Sequence, residues 1–146
     1  QNAEQLGGFS TAVNDARFTR LGRILRKYKL DELPQLFNVL FGDMSLVGPR
    51  PQVFYYTKKY RGEERSILSV KPGITDYASI YFSDMDQVLG QDDVDEKYEK
   101  EIEPLKNQLR IKYVNERSLL VDLRILVETF FLLFGISNIT GLDIEV

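Results

Sequence analysis

Leu30-Asp31-Glu32-Leu33-Pro34-Gln35-Leu36-Phe37-Asn38-Val39-Leu40 opens on two adjacent carboxylates and continues with apolar residues at helical spacing. The pattern predicts a helix that starts near Asp31, tolerates Pro34 in its first turn and ends at Gly42, a residue suited to the left-handed position after a helix. Upstream, Phe18, Leu21 and Leu25 recur at helical spacing while Arg17, Arg20, Arg23 and Lys27 share another face. That is an amphipathic helix with a basic stripe, preceded by a polar lead-in over 1–16 that reads as a loop. Downstream lies Gly48-Pro49-Arg50-Pro51, in which two prolines restrict the backbone on either side of one arginine.

The remaining chain extends the helical pattern. Gln52 to Tyr60 reads as a helix begun by Pro51, and Lys71-Pro72-Gly73 as a tight turn in which Gly73 supplies positive φ. Tyr77 to Phe82 alternates as a short strand would. Asp92 to Glu103 reads as a charged helix, and Pro104 opens another whose Leu105, Leu109 and Tyr113 are spaced for one buried face. Ser118 caps a last helix that runs to Phe134 and stops at Gly135, its final turn apolar all round and therefore suited to a core or to a membrane interface. The expected fold class is α+β: one mainly helical domain over 1–146, with a small β element and amphipathic helices at a membrane surface.

Composition narrows the chemistry. With 146 residues, 43% of them apolar, the chain is long enough for one core. It has neither Cys nor His, which excludes disulfides, thiolate or imidazole metal sites, Cys nucleophiles and triads with an imidazole base. Catalysis must then run on carboxylates, Arg, Lys, Tyr, Ser or a hard metal ion bound through oxygen. A net charge of -3 argues against nucleic acid as a partner. That total conceals a basic stretch from Arg17 to Lys29 and an acidic one from Asp84 to Glu103, so one end of the domain attracts phosphate and another repels it.

Adjacent helix residues diverge by about 100°, so Asp31 and Glu32 are suited to different roles rather than to one clamp. The free N–H groups of a helix start and the neighbouring cations favour an ionised carboxylate there. Such a carboxylate attacks phosphorus only when the phosphate charge is neutralised. The forked donors of Arg26 and Arg50 can do that, and Mg²⁺ held by Glu32 would add to it. The set suffices for phosphoryl transfer without His or Cys. Taken alone, Asp31-Glu32 would be read as a helix cap with a solvated neighbour, and the Gly-Pro-Arg-Pro turn as structural.

The ordered succession of Asn14 to Arg23, Asp31-Glu32-Leu33-Pro34-Gln35-Leu36, Gly48-Pro49-Arg50-Pro51, Lys71-Pro72-Gly73-Ile74-Thr75 and Tyr113 to Asp122 resembles the bacterial sugar transferases, the monotopic phosphoglycosyl transferases. The resemblance implies transfer of a sugar-1-phosphate from a nucleoside-diphosphate sugar, UDP-linked, to polyprenyl (undecaprenyl) phosphate at the cytoplasmic face of the bacterial inner membrane, initiating a surface glycan. It implies Asp31 as nucleophile, Glu32 as Mg²⁺ partner, and Arg26 and Arg50 as phosphate contacts. Pro49, Pro51 and Lys71, within the matched motifs, are candidates for substrate positioning. It also implies a membrane segment upstream of Gln1. Where the family often carries Gly, an aromatic or Leu, then Ala and Gln, this chain has Asp76-Tyr77-Ala78-Ser79, a difference expected to bear on the choice of sugar. Two other readings stand beside this one: a catalytically silent, membrane-associated scaffold of the same fold, and a glycosidase. The latter is disfavoured because adjacent residues at a helix start are poorly placed to flank a sugar with carboxyls about 5 Å or more apart.

Overall fold

The computed structural model describes residues 19, 33–83, 98–136, 139–141 and 144. Among these, α1 (Leu33–Leu40) leads into β1 (Ser45–Val47), and a short α2 (Phe54–Thr57) is followed by a 3₁₀ helix (Gly62–Ser69). Then come β2 (Gly73–Thr75), α3 (Tyr77–Tyr81), a π-helical turn (Tyr98–Ile102), α4 (Glu103–Glu116) and α5 (Leu119–Leu132). The mainly helical α+β expectation holds, the β element being a two-stranded parallel pair in which Ser45 faces Gly73 and Val47 faces Thr75.

The helix ends follow the residues that set them. Gly42 after α1 and Gly135 after α5 both adopt positive φ, 83° and 74°, the position at which a glycine avoids the Cβ clash of other residues. Ser118 caps α5 by accepting the Val121 N–H, and α4 carries proline in its first turn, where no backbone donor is lost.

Four expectations are corrected. Tyr77–Tyr81 is helical, not a strand: Asp76 caps it, and the consecutive Tyr77 and Ala78 are both buried, which a strand alternating between two faces would not do. Gly73 does not supply a positive-φ turn; it lies in β2, where glycine is needed for close approach, since a Cβ there would stand 2.1 Å from the Gly48 nitrogen. The helix expected over Gln52–Tyr60 shrinks to Phe54–Thr57, since the chain is extended at Val53 and again at Arg61 while Tyr56 and Tyr60 turn into the protein. Leu105 lies at the surface, and the inner face of α4 consists of Glu103, Asn107, Leu109, Arg110 and Tyr113. The start of α1 near Asp31, the basic helix from Arg17 and most of the acidic segment lie outside the described residues.

The core gathers Val47 of β1, Tyr77 and Ala78 of α3, Leu109 and Tyr113 of α4, and Ile125 of α5. Ile125 is fully buried, worth about 2 kcal/mol from its apolar area. The Tyr113 hydroxyl lies 2.9 Å from the Asp122 carboxylate and 3.2 Å from the Val47 carbonyl, tying α4 to both α5 and the strand pair. A second, polar layer fastens the segment before β2 to α4. Arg110 donates to Glu103 at 3.1 Å and to Asn107 at 2.8 Å; Gln52 donates to Glu103 and Asn107 to Glu64, each at 2.9 Å. Buried charges of this kind persist when each is paired and hydrogen-bonded.

Candidate functional site

Arg50 sits where the chain leaves β1 and bends across β2. The crossing is built from backbone: Gly48 N–H donates to the Thr75 carbonyl at 2.9 Å and Gly73 N–H to the Pro49 carbonyl at 3.0 Å. A Cβ on Gly48 would come within 2.7 Å of the Lys71 carbonyl oxygen, so neither strand tolerates a side chain where they meet. The two prolines divide the remaining work, Pro49 being buried in the crossing and Pro51 exposed beyond it.

Asp76 secures this bend from the other strand. It is fully buried, and its Oδ1 accepts the Ser79 N–H and hydroxyl, each at 2.7 Å, while Oδ2 accepts the Arg50 backbone N–H at 3.3 Å. One carboxylate thus caps α3 and holds the backbone of the predicted phosphate contact. The departure of this chain at Asp76-Tyr77-Ala78-Ser79, expected to bear on the sugar, here has a structural use for both Asp76 and Ser79. The Arg50 guanidinium also donates to the Ile74 carbonyl at 3.3 Å, which aims the side chain along β2.

A cleft of about 220 Å³ opens beside Arg50, walled by β2, α3, α4 and α5. Arg50, Lys106 and Arg110 line it together with Asp76, and Ile80, Phe82 and Leu132 supply apolar wall. Thr75 and Thr129, whose hydroxyls meet at 2.7 Å, close the side formed by β2 and α5. Lys106 is drawn down to about 8, first by burial and then by the like charge of Arg110, with Glu103 and Asp76 opposing and Arg50 adding to the depression.

Of the residues singled out from sequence, Arg50 lines this cleft while Lys71 does not. Lys71 is exposed, with its ammonium 3.9 Å from where a Cβ on Gly42 would stand, beside the C-terminal end of α1. Asp31, Glu32 and Arg26 lie outside the described residues. Sequence reasoning passed over Asp76, Lys106 and Arg110 as cleft residues. Asp76 carried a legible signal, an acid ahead of a short apolar stretch at cap spacing from Ser79. Lys106 and Arg110 are four apart on a helix, ordinary for a solvated face, and it is the packing of α3 and of the 3₁₀ helix against α4 that encloses them.

Comparison with known proteins matches the chain to the bacterial sugar transferase family over residues 1–135. The chain belongs to that family. It is 42% identical over 121 residues to the UDP-glucose:undecaprenyl-phosphate glucose-1-phosphate transferase of Klebsiella pneumoniae, covering 81% of this chain and 24% of that protein. Over 82 residues it is 51% identical to the undecaprenyl-phosphate galactose phosphotransferase of Salmonella typhimurium, covering 56% of this chain and 16% of that protein. An uncharacterized sugar transferase of Bacillus subtilis is 40% identical over 116 residues, 80% of this chain and 50% of that protein. The chain therefore spans about a quarter of the Klebsiella relative and half of the Bacillus one. Among the described residues no helix is long and apolar enough to cross a membrane.

Proposed function

We infer that this chain is the catalytic part of a phosphoglycosyl transferase, which moves a sugar-1-phosphate from a UDP-sugar to undecaprenyl phosphate and so initiates a surface glycan. The observation that carries the reading is the family match over 1–135, which spans both Asp31-Glu32 and the Arg50 bend. Relatives whose names specify glucose, galactose and N-acetylgalactosamine all match, so the reading names the reaction and leaves the sugar open.

In the first step a carboxylate oxygen of Asp31 attacks the β-phosphorus of the donor. An O–P bond forms, the phosphoanhydride bond breaks, and UMP departs with the bonding electron pair. In the second, an oxygen of the undecaprenyl phosphate attacks the same phosphorus, the aspartyl–phosphorus bond breaks, and Asp31 is restored as a carboxylate. One phosphoanhydride replaces another, so the demand is for alignment and charge neutralisation. Arg50 meets both demands: its backbone is held by Asp76 and its guanidinium faces the cleft. Arg26 is assigned as the second phosphate contact. Among the described residues no group of three acids is placed to hold a metal. Glu32 is the residue that would hold Mg²⁺, since carboxylate and diphosphate oxygens are the donor set of that hard cation. The ion would supply further neutralisation of the diphosphate charge. The reaction takes place at the cytoplasmic surface of the inner membrane, where undecaprenyl phosphate resides.

The protein, incubated with Mg²⁺ and a panel of UDP-sugars but no acceptor, should yield an intact-mass increment of one phosphosugar on the peptide containing Asp31, with release of UMP. Asp31→Asn should show neither. Lipid-vesicle binding with no UMP release from any donor would favour the scaffold reading instead.

A further inference from the structure

The hydroxyl groups that line the cleft are not equally engaged. Ser79 gives its hydroxyl hydrogen to the Asp76 carboxylate at 2.7 Å. The side chains of Thr75 and Thr129 bond to each other, their oxygens 2.7 Å apart across the seam between β2 and α5. A hydroxyl carries one hydrogen and two acceptor sites, so one member of the pair donates, and the hydrogen of the other is left without an acceptor among the described residues. Thr75 is buried and Thr129 half-buried, where an unmade hydrogen bond costs more than it does in water. Both are firmly placed. Thr75 lies in β2, and one residue before Thr129 the buried Glu128 accepts the Ile139 and Thr140 N–H groups, which fixes the rotation of α5.

We propose that this cleft seats a hydroxylated ring of the donor and that Thr129, paired with Thr75, reads a hydroxyl on that ring. The inference rests on the transferase reading and deepens it by giving one part of the donor a place. The threonine pair presents either a hydrogen or a lone pair, according to which partner donates, and the group that answers both is itself a hydroxyl; an ionised phosphate only accepts. The wall suits the same occupant, since Ile80, Phe82 and Leu132 offer apolar surface to the C–H face of a ring while Thr129 and Ser83 bring hydroxyls to its edge. The volume, about 220 Å³, is on the scale of one sugar ring and not of a whole nucleotide sugar. Arg50, the assigned phosphate contact, lines the same cleft, so a ring joined to that phosphate falls within it. A UDP-sugar carries two such rings, the ribose of the nucleotide and the pyranose that is transferred, and the two are separated by experiment.

The test compares Thr129→Val, which keeps the branched shape and removes the hydroxyl, with Thr129→Ser, which keeps the hydroxyl. Each is assayed with Mg²⁺, undecaprenyl phosphate and UDP-glucose, UDP-galactose or UDP-N-acetylgalactosamine, the sugars that the relatives' names specify. UMP affinity is measured separately by titration. Thr129→Val should lower kcat/KM for the best donor on the order of tenfold, the worth of one hydrogen bond to a bound hydroxyl, while Thr129→Ser stays close to the parent. If the pyranose is the ring, the fall differs between donors, their ranking contracts and UMP affinity is unchanged. If it is the ribose, every donor and UMP weaken by the same factor. Either result supports the proposal. It is overturned if Thr129→Val matches the parent, if all donors fall equally while UMP does not, or if Thr129→Ser loses as much as Thr129→Val, because the pair is then only a tie between β2 and α5. Should Thr129→Val fail to fold, Thr129→Ala is read by the same outcomes. Unchanged turnover in Thr129→Val removes the ring site and leaves the transferase reading intact. A parent that releases no UMP from any donor sinks the transferase reading, and titration of the UDP-sugars then decides the ring site by itself: weaker binding by Thr129→Val upholds it, and equal or absent binding removes it.

Discussion

At the β1–β2 crossing, two backbones approach so closely that Gly48 and Gly73 admit no side chain, and a fully buried Asp76 is satisfied by three donors. Along α5 the arrangement is inverted. Glu128 is buried, accepting the Ile139 and Thr140 N–H groups, while Leu119, Leu120, Leu123, Phe130 and Phe134 face outward. The crossing spends its tolerance for change on placing Arg50. The outer face of α5 has no such constraint within the described residues, and its apolar residues contribute little to the fold as it stands.

The sharpest way to break this contrast is Gly73→Ala. A Cβ 2.1 Å from the Gly48 nitrogen can be relieved only by moving backbone, so a loss of at least about 3 kcal/mol is expected, read from the urea midpoint. Asp76→Ala should come next, at about 2 kcal/mol, because it removes the α3 cap and leaves the half-buried Ser79 and Arg50 donors without their acceptor. Donor binding should weaken in the same variant, whereas Asp76→Asn should retain part of both.

Tyr77 and Tyr113 join the two regions, and they make the contrast depend on pH. Burial, followed by the hydrogen bond to Glu116, pushes the Tyr77 hydroxyl up to about 12; burial and Asp122 raise Tyr113 further. A raised folded-state value means that the neutral form is favoured by folding. Its contribution is whole below the ordinary tyrosine value near 10 and is lost as pH climbs through about 12. Denaturant midpoints should therefore fall between pH 10 and 12, and fall less steeply in Tyr77→Phe. The smallest effect is expected on α5, where Leu123→Gln should change stability by no more than about 0.5 kcal/mol. A large loss there would show that the exposed face is packed against something in solution.

Much of this was legible in the residues. Gly42, Gly135, Ser118 and Pro104 announced the ends of their helices because each acts through its own backbone geometry. The stiffness of the Arg50 segment followed in the same way from Pro49 and Pro51. The errors cluster where distant segments meet. Gly73 looked like a turn residue because a glycine needed for positive φ and one needed for close approach are identical on paper. Tyr77–Tyr81 alternated like a strand, yet the buried cap at Asp76 and the core contacts of Tyr77 and Ala78 made it a helix.

From the chain alone came the helical α+β class, the exclusion of thiol and imidazole chemistry, and the motif series that marks the family. These are properties of residue type and local spacing, and they need no knowledge of what lies across the fold. Tertiary structure decided that Asp76 holds the Arg50 backbone and that Lys106 and Arg110 share a cleft with it. Those groups are separated along the sequence and converge only because β2 docks on β1 and α4 packs beneath α3, so their burial and their electrostatics exist only once the chain has folded.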